Sequence, residues 1–234
     1  MLKLILMLQE KMINIYLIGD STCQTNNDET YPQIGWGQVF NKYIKDKYSV
    51  INLAKNGRSS KSFLEEGLFK FCEENLNSGD YLFIQFGHND EKDDERHTDP
   101  NSSYKKYLSY YIDFAKNRNA IPVLLSSIYR RQFINKKLNP DCHKEYRQAM
   151  EELSYEKNVH FIDLTRLTKE ILELIGDEES KKFYMNFQSS IYKNYPQGKE
   201  DNTHLRYLGA KLVCSLIRNE LNKMKDLKEL VNNN

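Results

Sequence analysis

Five short apolar runs most constrain this chain: residues 13–18 (INIYLI), 48–53 (YSVINL), 81–86 (YLFIQF), 121–126 (IPVLLS) and 159–162 (VHFI). Longer amphipathic stretches separate them, which is the pattern of a parallel sheet whose strands are joined by crossover helices. The spacing predicts helices over 62–76, 103–117, 143–157 and 205–224. The first is opened by a capping box, Ser62-x-x-Glu65. The last carries Leu208, Leu212, Leu216 and Leu221 close to one face. The expected fold is therefore α/β: a five-stranded parallel sheet in a three-layer αβα sandwich. No repeat or low-complexity linker interrupts 12–234, which reads as one domain after an N-terminal extension over 1–11. The stretches 91–100 and 176–203 read as long irregular loops, and loops of that length are usually functional or mobile.

Charge narrows the class of partner. Lys+Arg 34 against Asp+Glu 33 leaves a formal charge of +1. Such a balance offers no basic excess to drive binding to nucleic acid or to an anionic membrane. The apolar start at residues 1–8 is very short, is followed by Gln9-Glu10-Lys11, and lacks a small-x-small cleavage site. A cytoplasmic location is the expectation, with Met12 as an alternative start. Cys23, Cys72, Cys142 and Cys214 are far apart and form no C-x-x-C pair, so free thiols are expected. The five histidines have no ligand spacing to one another or to a cysteine.

In an open parallel sheet, ligands bind beyond the carboxyl ends of the strands. Those ends deliver Gly19-Asp20-Ser21-Thr22, then Asn52 to Ser59, then Gly87-His88-Asn89-Asp90, and Asp201-Asn-Thr-His204 precedes the last helix. Acyl transfer needs these residue types. A serine hydroxyl becomes nucleophilic when an imidazole takes its proton, and the imidazole needs a carboxylate to hold its tautomer. Ser21, His204 and Asp201 fit those roles, the last two being three residues apart and so able to share a face on one helical turn. A tetrahedral intermediate needs fixed donors. The N–H groups of Ser21 and Gly57 and the side-chain amide of Asn89 are candidates. Each residue alone has a structural reading: a turn serine, a turn glycine, a loop asparagine, a helix cap with a surface histidine. The combination, in order and at matching strand ends, favours chemistry.

The blocks GDST at 19–22, NLAKNGRSS at 52–60, QFGHND at 85–90 and DNTH at 201–204 resemble the SGNH/GDSL hydrolases. Within them the chain is similar to the rhamnogalacturonan acetylesterase group, through GDST in place of GDSL, Gly35-Trp36-Gly37, Gly57-Arg58-Ser59 and Phe86-Gly-His-Asn-Asp90. The resemblance spans 13 to about 217. It implies a flavodoxin-like strand order 2-1-3-4-5, nucleophile Ser21, oxyanion donors Ser21, Gly57 and Asn89, and the pair Asp201 and His204. It implies no metal or cofactor. The activity implied is removal of acetyl groups from acetylated, pectin-derived rhamnogalacturonan-type oligosaccharides. The competing readings are a lipid or thioester hydrolase on the same scaffold and a silent carbohydrate-binding protein. Trp36, Arg58 and His88 are the candidate substrate contacts; Arg58 is placed to meet an acidic sugar such as galacturonate, with a structural salt bridge as its alternative. Tyr104, Tyr107, Tyr110 and Tyr111 read as a packed helix face, and the charged run 91–99 as a solvated loop.

Overall fold

Along β1 (Ile13–Gly19) consecutive side chains point to opposite faces, and both faces are buried. Ile15 and Leu17 enter one apolar cluster, while Tyr16 and Ile18 enter the other. The same split recurs in β3 (Tyr81–Gln85) and β4 (Ile121–Leu125), which is why these strands read as unbroken apolar runs. Residues 12–140 and 142–232 are described in a computed structural model; the predicted extension over 1–11 lies outside the described residues. β1 pairs with β2 (Tyr48–Asn52) on one side and β3 on the other, and the sheet continues through β4 to β7 (His160–Ile162). All four pairings are parallel. Counting only these five strands, the order is 2-1-3-4-5, as expected.

Helices cover both faces. One cluster holds Phe63 of α1 (Ser60–Glu65), Cys72 of α2 (Lys70–Asn75), Leu108 of α3 (Lys105–Asn117) and Met150 of α4 (Lys144–Lys157). The other holds Leu164 and Leu172 of α5 (Leu164–Ser180) and Val213 and Ile217 of α6 (Tyr207–Lys223). The result is the expected αβα sandwich. Two antiparallel pairs lie outside the sheet: β5 (Phe133–Ile134) with β6 (Lys137–Leu138), and β8 (Tyr184–Phe187) with β9 (Lys199–Leu205).

Three expectations are corrected. The helix predicted over 62–76 is two short ones, parted where the chain leaves the helical path at Glu66 and Gly67. Its cap is Ser59, not Ser62: the Ser59 hydroxyl oxygen accepts from the Ser62 N–H, and the Ser62 hydroxyl oxygen accepts from the Ser59 N–H. The stretch 176–203 is not one irregular loop, because α5 runs into it and β8 and β9 occupy much of the rest. Helix α5 itself was missed, although Asp163 caps it by accepting from the Arg166 N–H and Leu164, Leu167, Ile171 and Leu172 form its apolar side.

The four cysteines are free and buried. Tyr104 and Tyr111 are buried, while Tyr107 and Tyr110 turn outward and donate to Glu65 and Glu73. Among the described residues no helix is long and apolar enough to cross a membrane.

Candidate active site

Strand β1 pairs with β3 as far as Gly19 and Gln85, so the chain segments that follow emerge side by side. After Gly19 the chain turns at once. The Asp20 carbonyl accepts from the N–H of Cys23 and Gln24, and its carboxylate Oδ1 accepts from the N–H and hydroxyl of Thr22 at 2.8 and 2.7 Å. These bonds clasp the turn around Ser21, which is 7% exposed and faces a cavity. Burial pushes the Asp20 carboxyl up from its ordinary value, against the bonds from Thr22.

The partner of Ser21 arrives from 183 residues away. The Ser21 hydroxyl donates to Nε2 of His204 at 2.9 Å, and Nδ1–H of His204 donates to Oδ2 of Asp201 at 2.8 Å. Burial alone would raise the Asp201 carboxyl, but bonds from the His204 ring and from the N–H groups of His204 and Thr203 outweigh it. They hold it well below the carboxylate range. An ionised carboxylate only accepts, so the imidazole proton sits on Nδ1 and Nε2 is left to accept from the serine.

Asp201 and His204 do not share a helical turn, as their spacing suggests. Both lie on β9, at an irregularity in its pairing with β8: Tyr184 faces Leu205, yet the next residue, Met185, faces Asp201. Residues 202–204 therefore bulge out of the ladder, which re-aims the side chains they carry. Asp201 Oδ1 closes the bulge by accepting from the Thr203 and His204 N–H groups at 2.9 and 3.0 Å.

Ser21, Gly57, Asn89, Asp201 and His204 line one cavity of about 480 Å³. Gly57 has φ +75, a conformation that L side chains rarely adopt and that turns its backbone toward this space. Asn89 donates one side-chain N–H to the Arg58 carbonyl at 3.0 Å and accepts at Oδ1 from Arg96 Nη1 at 3.3 Å. The Ser21 and Gly57 N–H groups make no hydrogen bond among the described residues. Asp90, the next residue, ties two of these segments together. Its buried carboxylate accepts from the Ser60 N–H and hydroxyl and from the Thr98 hydroxyl. Burial raises its pKa to about 7 despite those bonds.

With this geometry in place, comparison with known proteins is decisive. A family model described as GDSL-like lipase/acylhydrolase matches residues 17–210. The chain belongs to this family. It is accordingly a carboxylic ester hydrolase. Rhamnogalacturonan acetylesterase RhgT of Bacillus subtilis (strain 168) is 40% identical over 210 residues, covering 90% of each chain. Probable rhamnogalacturonan acetylesterase YesY of the same strain is 36% identical over 219 residues, covering 93% of each. Among solved structures, protein YxiM of Bacillus subtilis superposes with a TM-score of 0.76 at 25% identity, over 90% of this chain and 56% of that one.

Against this GDSL framework, the expected substrate contacts fare differently. Trp36 does not reach the cleft: it is 1% exposed, stacks edge-on against Phe40, and donates its indole N–H to Gln85 Oε1 at 2.9 Å. The large apolar ring is worth more in the core than at the surface. Arg58 also stands outside, because its side chain is drawn to Glu66, with Nε donating at 2.9 Å. His88 lines the cavity but is buried, packed edge-on against His143 with ring centres 4.4 Å apart. Burial and the neighbouring charges of His143 and Arg130 push its pKa well down, so it is neutral. The residues that line the cleft and were overlooked are Asn56, Lys92, Arg96, Arg130 and Thr203. Lys92 and Arg96 belong to the run read as a solvated loop.

Among the described residues, His88, Glu91 and His143 form the grouping whose ligand atoms lie within 4.8 Å of one another. It does not fit a metal well. Both Glu91 oxygens are engaged, one by Arg130 and the other by His143 Nδ1 at 2.8 Å. Burial would lower the His143 pKa, but bonds with Cys142 and Glu91 raise it to about 9, so the ring carries a proton where a ligand needs a lone pair.

Proposed function

We propose that this hydrolase removes acetyl groups from rhamnogalacturonan-type oligosaccharides through an acyl-enzyme on Ser21. The observation that carries the reading is the unbroken chain of hydrogen bonds from the Ser21 hydroxyl through His204 to Asp201, opening onto a polar cavity. Ser21 Oγ attacks the acetyl carbonyl carbon and its proton passes to His204 Nε2. The carbonyl π pair moves onto oxygen, where the N–H groups of Ser21 and Gly57 and an Asn89 side-chain N–H receive it. When that oxyanion collapses, the C–O bond to the sugar breaks and the departing alkoxide takes the proton from Nε2. Water repeats the sequence on acetyl-Ser21, and acetate leaves. Asp201 stays ionised throughout and stabilises the imidazolium.

The lining supports a charged saccharide over a lipid. Lys92, Arg96 and Arg130 contribute three cations, Arg96 paired with Asp94 and Arg130 with Glu91, and among the described residues no aliphatic or phenyl side chain lines the cavity. A long acyl chain would find no apolar wall there, whereas a uronate next to the acetylated sugar meets complementary charge. The names carried by the two Bacillus relatives point the same way.

The test is acetate release from acetylated rhamnogalacturonan and xylan oligosaccharides, beside p-nitrophenyl esters from acetate to decanoate. Preference for acetate and for the rhamnogalacturonan series is expected, with turnover on both lost in Ser21→Ala. A preference for decanoate points to a lipid or thioester hydrolase instead, and saccharide binding without turnover to a silent binding protein. An undiminished Ser21→Ala enzyme removes the acyl-enzyme outright.

A further inference from the structure

An asparagine amide is nearly symmetric in shape, with an oxygen at one end and an NH₂ at the other. For Asn89 to offer a donor to a developing oxyanion, something must decide which end faces the cleft. Three contacts bear on this. Oδ1 accepts from Arg96 Nη1 at 3.3 Å, one Nδ2–H donates to the Arg58 carbonyl at 3.0 Å, and Asn89 lines the cavity. The second Nδ2–H has no acceptor among the described residues. Rotating the amide by half a turn would set NH₂ against a guanidinium and oxygen against a carbonyl, replacing two bonds by two repulsions.

The guanidinium is itself held. Asp94 Oδ1 accepts from Arg96 Nε at 2.9 Å and from the Arg96 N–H at 3.0 Å, and Asp94 Oδ2 accepts from Nη2. This leaves Nη1 as the arm that reaches the site, where it also donates to the Gly57 carbonyl at 3.3 Å. One nitrogen thus touches two of the segments that supply donors. A cation on the amide oxygen also draws electron density from the amide, which strengthens the remaining N–H as a donor.

We infer that Arg96 is a positioning residue for the oxyanion site, its guanidinium fixing the Asn89 amide with NH₂ toward the reacting ester and pinning the Gly57 backbone beside it. The inference rests on the reading of Asn89 as an oxyanion donor. It gives the 91–98 segment a part in the reaction, where the sequence suggested only solvated charge.

The decisive experiment is a double-mutant cycle of Arg96→Ala with Asn89→Ala, read as kcat and KM on p-nitrophenyl acetate, a substrate with no sugar to bind. Asn89→Ala is expected to lower kcat by about 10²–10³-fold, the size of one lost oxyanion donor. Arg96→Ala should lower kcat by about tenfold with KM nearly unchanged, and should cost clearly less in the Asn89→Ala background, where only its hold on the Gly57 backbone is left to lose. Asp94→Asn, which loosens the guanidinium from outside the cleft, should reproduce part of the kcat loss and guards against a folding defect in the alanine variant. An Arg96→Ala loss of equal size in both backgrounds, or one confined to KM, overturns the inference while leaving the esterase reading in place. An Asn89→Ala enzyme with undiminished kcat removes the donor reading and the inference with it.

Discussion

Ser21, Gly57 and Asn89 follow three adjacent strands of the parallel sheet, whose register is set by buried side chains on both faces, whereas Asp201 and His204 come from a bulge in a two-stranded ladder outside that sheet. On the sheet side, main-chain pairing does most of the placing. Asp20 clasps one turn and Asp90 binds two segments together, both deep in the protein. On the hairpin side, Arg131 and Asn186 hold Asn202 and the Asp201 carbonyl, but the imidazole itself depends on one carboxylate: Asp201 closes the bulge with Oδ1 and orients the ring with Oδ2. Ser21, Gly57 and Asn89 are therefore placed by the pairing of the central sheet, and the His204 ring by a single side chain. Damage on the hairpin side should cost activity out of proportion to stability.

The largest effect expected from that asymmetry is at Asp201. In Asp201→Asn the side-chain oxygen still has the Thr203 and His204 N–H groups to accept, so the NH₂ is turned toward the imidazole. A donor facing Nδ1 forces the ring proton onto Nε2, which then cannot accept from Ser21. A kcat loss on the order of 10³–10⁴-fold follows, as expected when a triad carboxylate is replaced by its amide. Stability has a separate signature. The Asp201 carboxyl is held below its unfolded value of about 3.9, so the ionised form contributes stability that is fully present above that pH and is lost as pH falls through the folded value. Urea unfolding of wild type and variant at pH 7, 5 and 3.5 should show a gap that narrows only at the lowest pH. A gap that widens with acid contradicts the assignment of this carboxylate.

A smaller effect is expected in the turn that joins β8 to β9. Gly198 has φ +79, and a Cβ there would meet the Phe187 carbonyl oxygen at 2.7 Å. Gly198→Ala therefore strains the hairpin twice, once through the backbone conformation and once through the clash. We expect kcat to fall by about tenfold while amide exchange in β1 and β3 keeps its protection, since local opening need not reach the core. Loss of protection in both layers together would mean that hairpin and sheet unfold as one unit, and the contrast drawn above would fail.

The same division governs what could be read from the sequence. Ser21, Gly57 and Asn89 were legible because strand periodicity marks where each strand ends, and a parallel sheet binds ligands there. The spacing of Asp201 and His204 brought the two side chains together on a helical turn, whereas they meet at a strand bulge. The segment KEDNTHL of β9 has no apolar alternation, and its bulge is made by side-chain-to-backbone bonds that no periodicity records. Helix α5 was legible through its Asp163 cap and leucines. Arg96 was not: its direction depends on how Asp94 and Asp90 anchor the 91–98 segment, which is a matter of loop conformation.

Trp36 offers the finest test, because sequence placed it at the cleft and the fold buries it against the sheet. Its indole N–H and Thr22 both meet the Gln85 side chain, behind the turn that carries Ser21. Trp36→Phe leaves the buried Gln85 Oε1 without its donor, because the Thr22 hydroxyl gives its one proton to Asp20 Oδ1 and accepts from Gln85 Nε2, so the polar penalty is about 2 kcal/mol. Loss of the second ring adds about 1 kcal/mol of packing and cavity cost. A total of about 3 kcal/mol corresponds to a Tm lower by roughly 6–12 °C in a chain of this size. KM for an acetylated oligosaccharide should stay within about twofold, because a core residue makes no contact that binding could lose. A KM raised tenfold with Tm unchanged would return the indole to the substrate surface and show that the first strand turn opens when sugar binds.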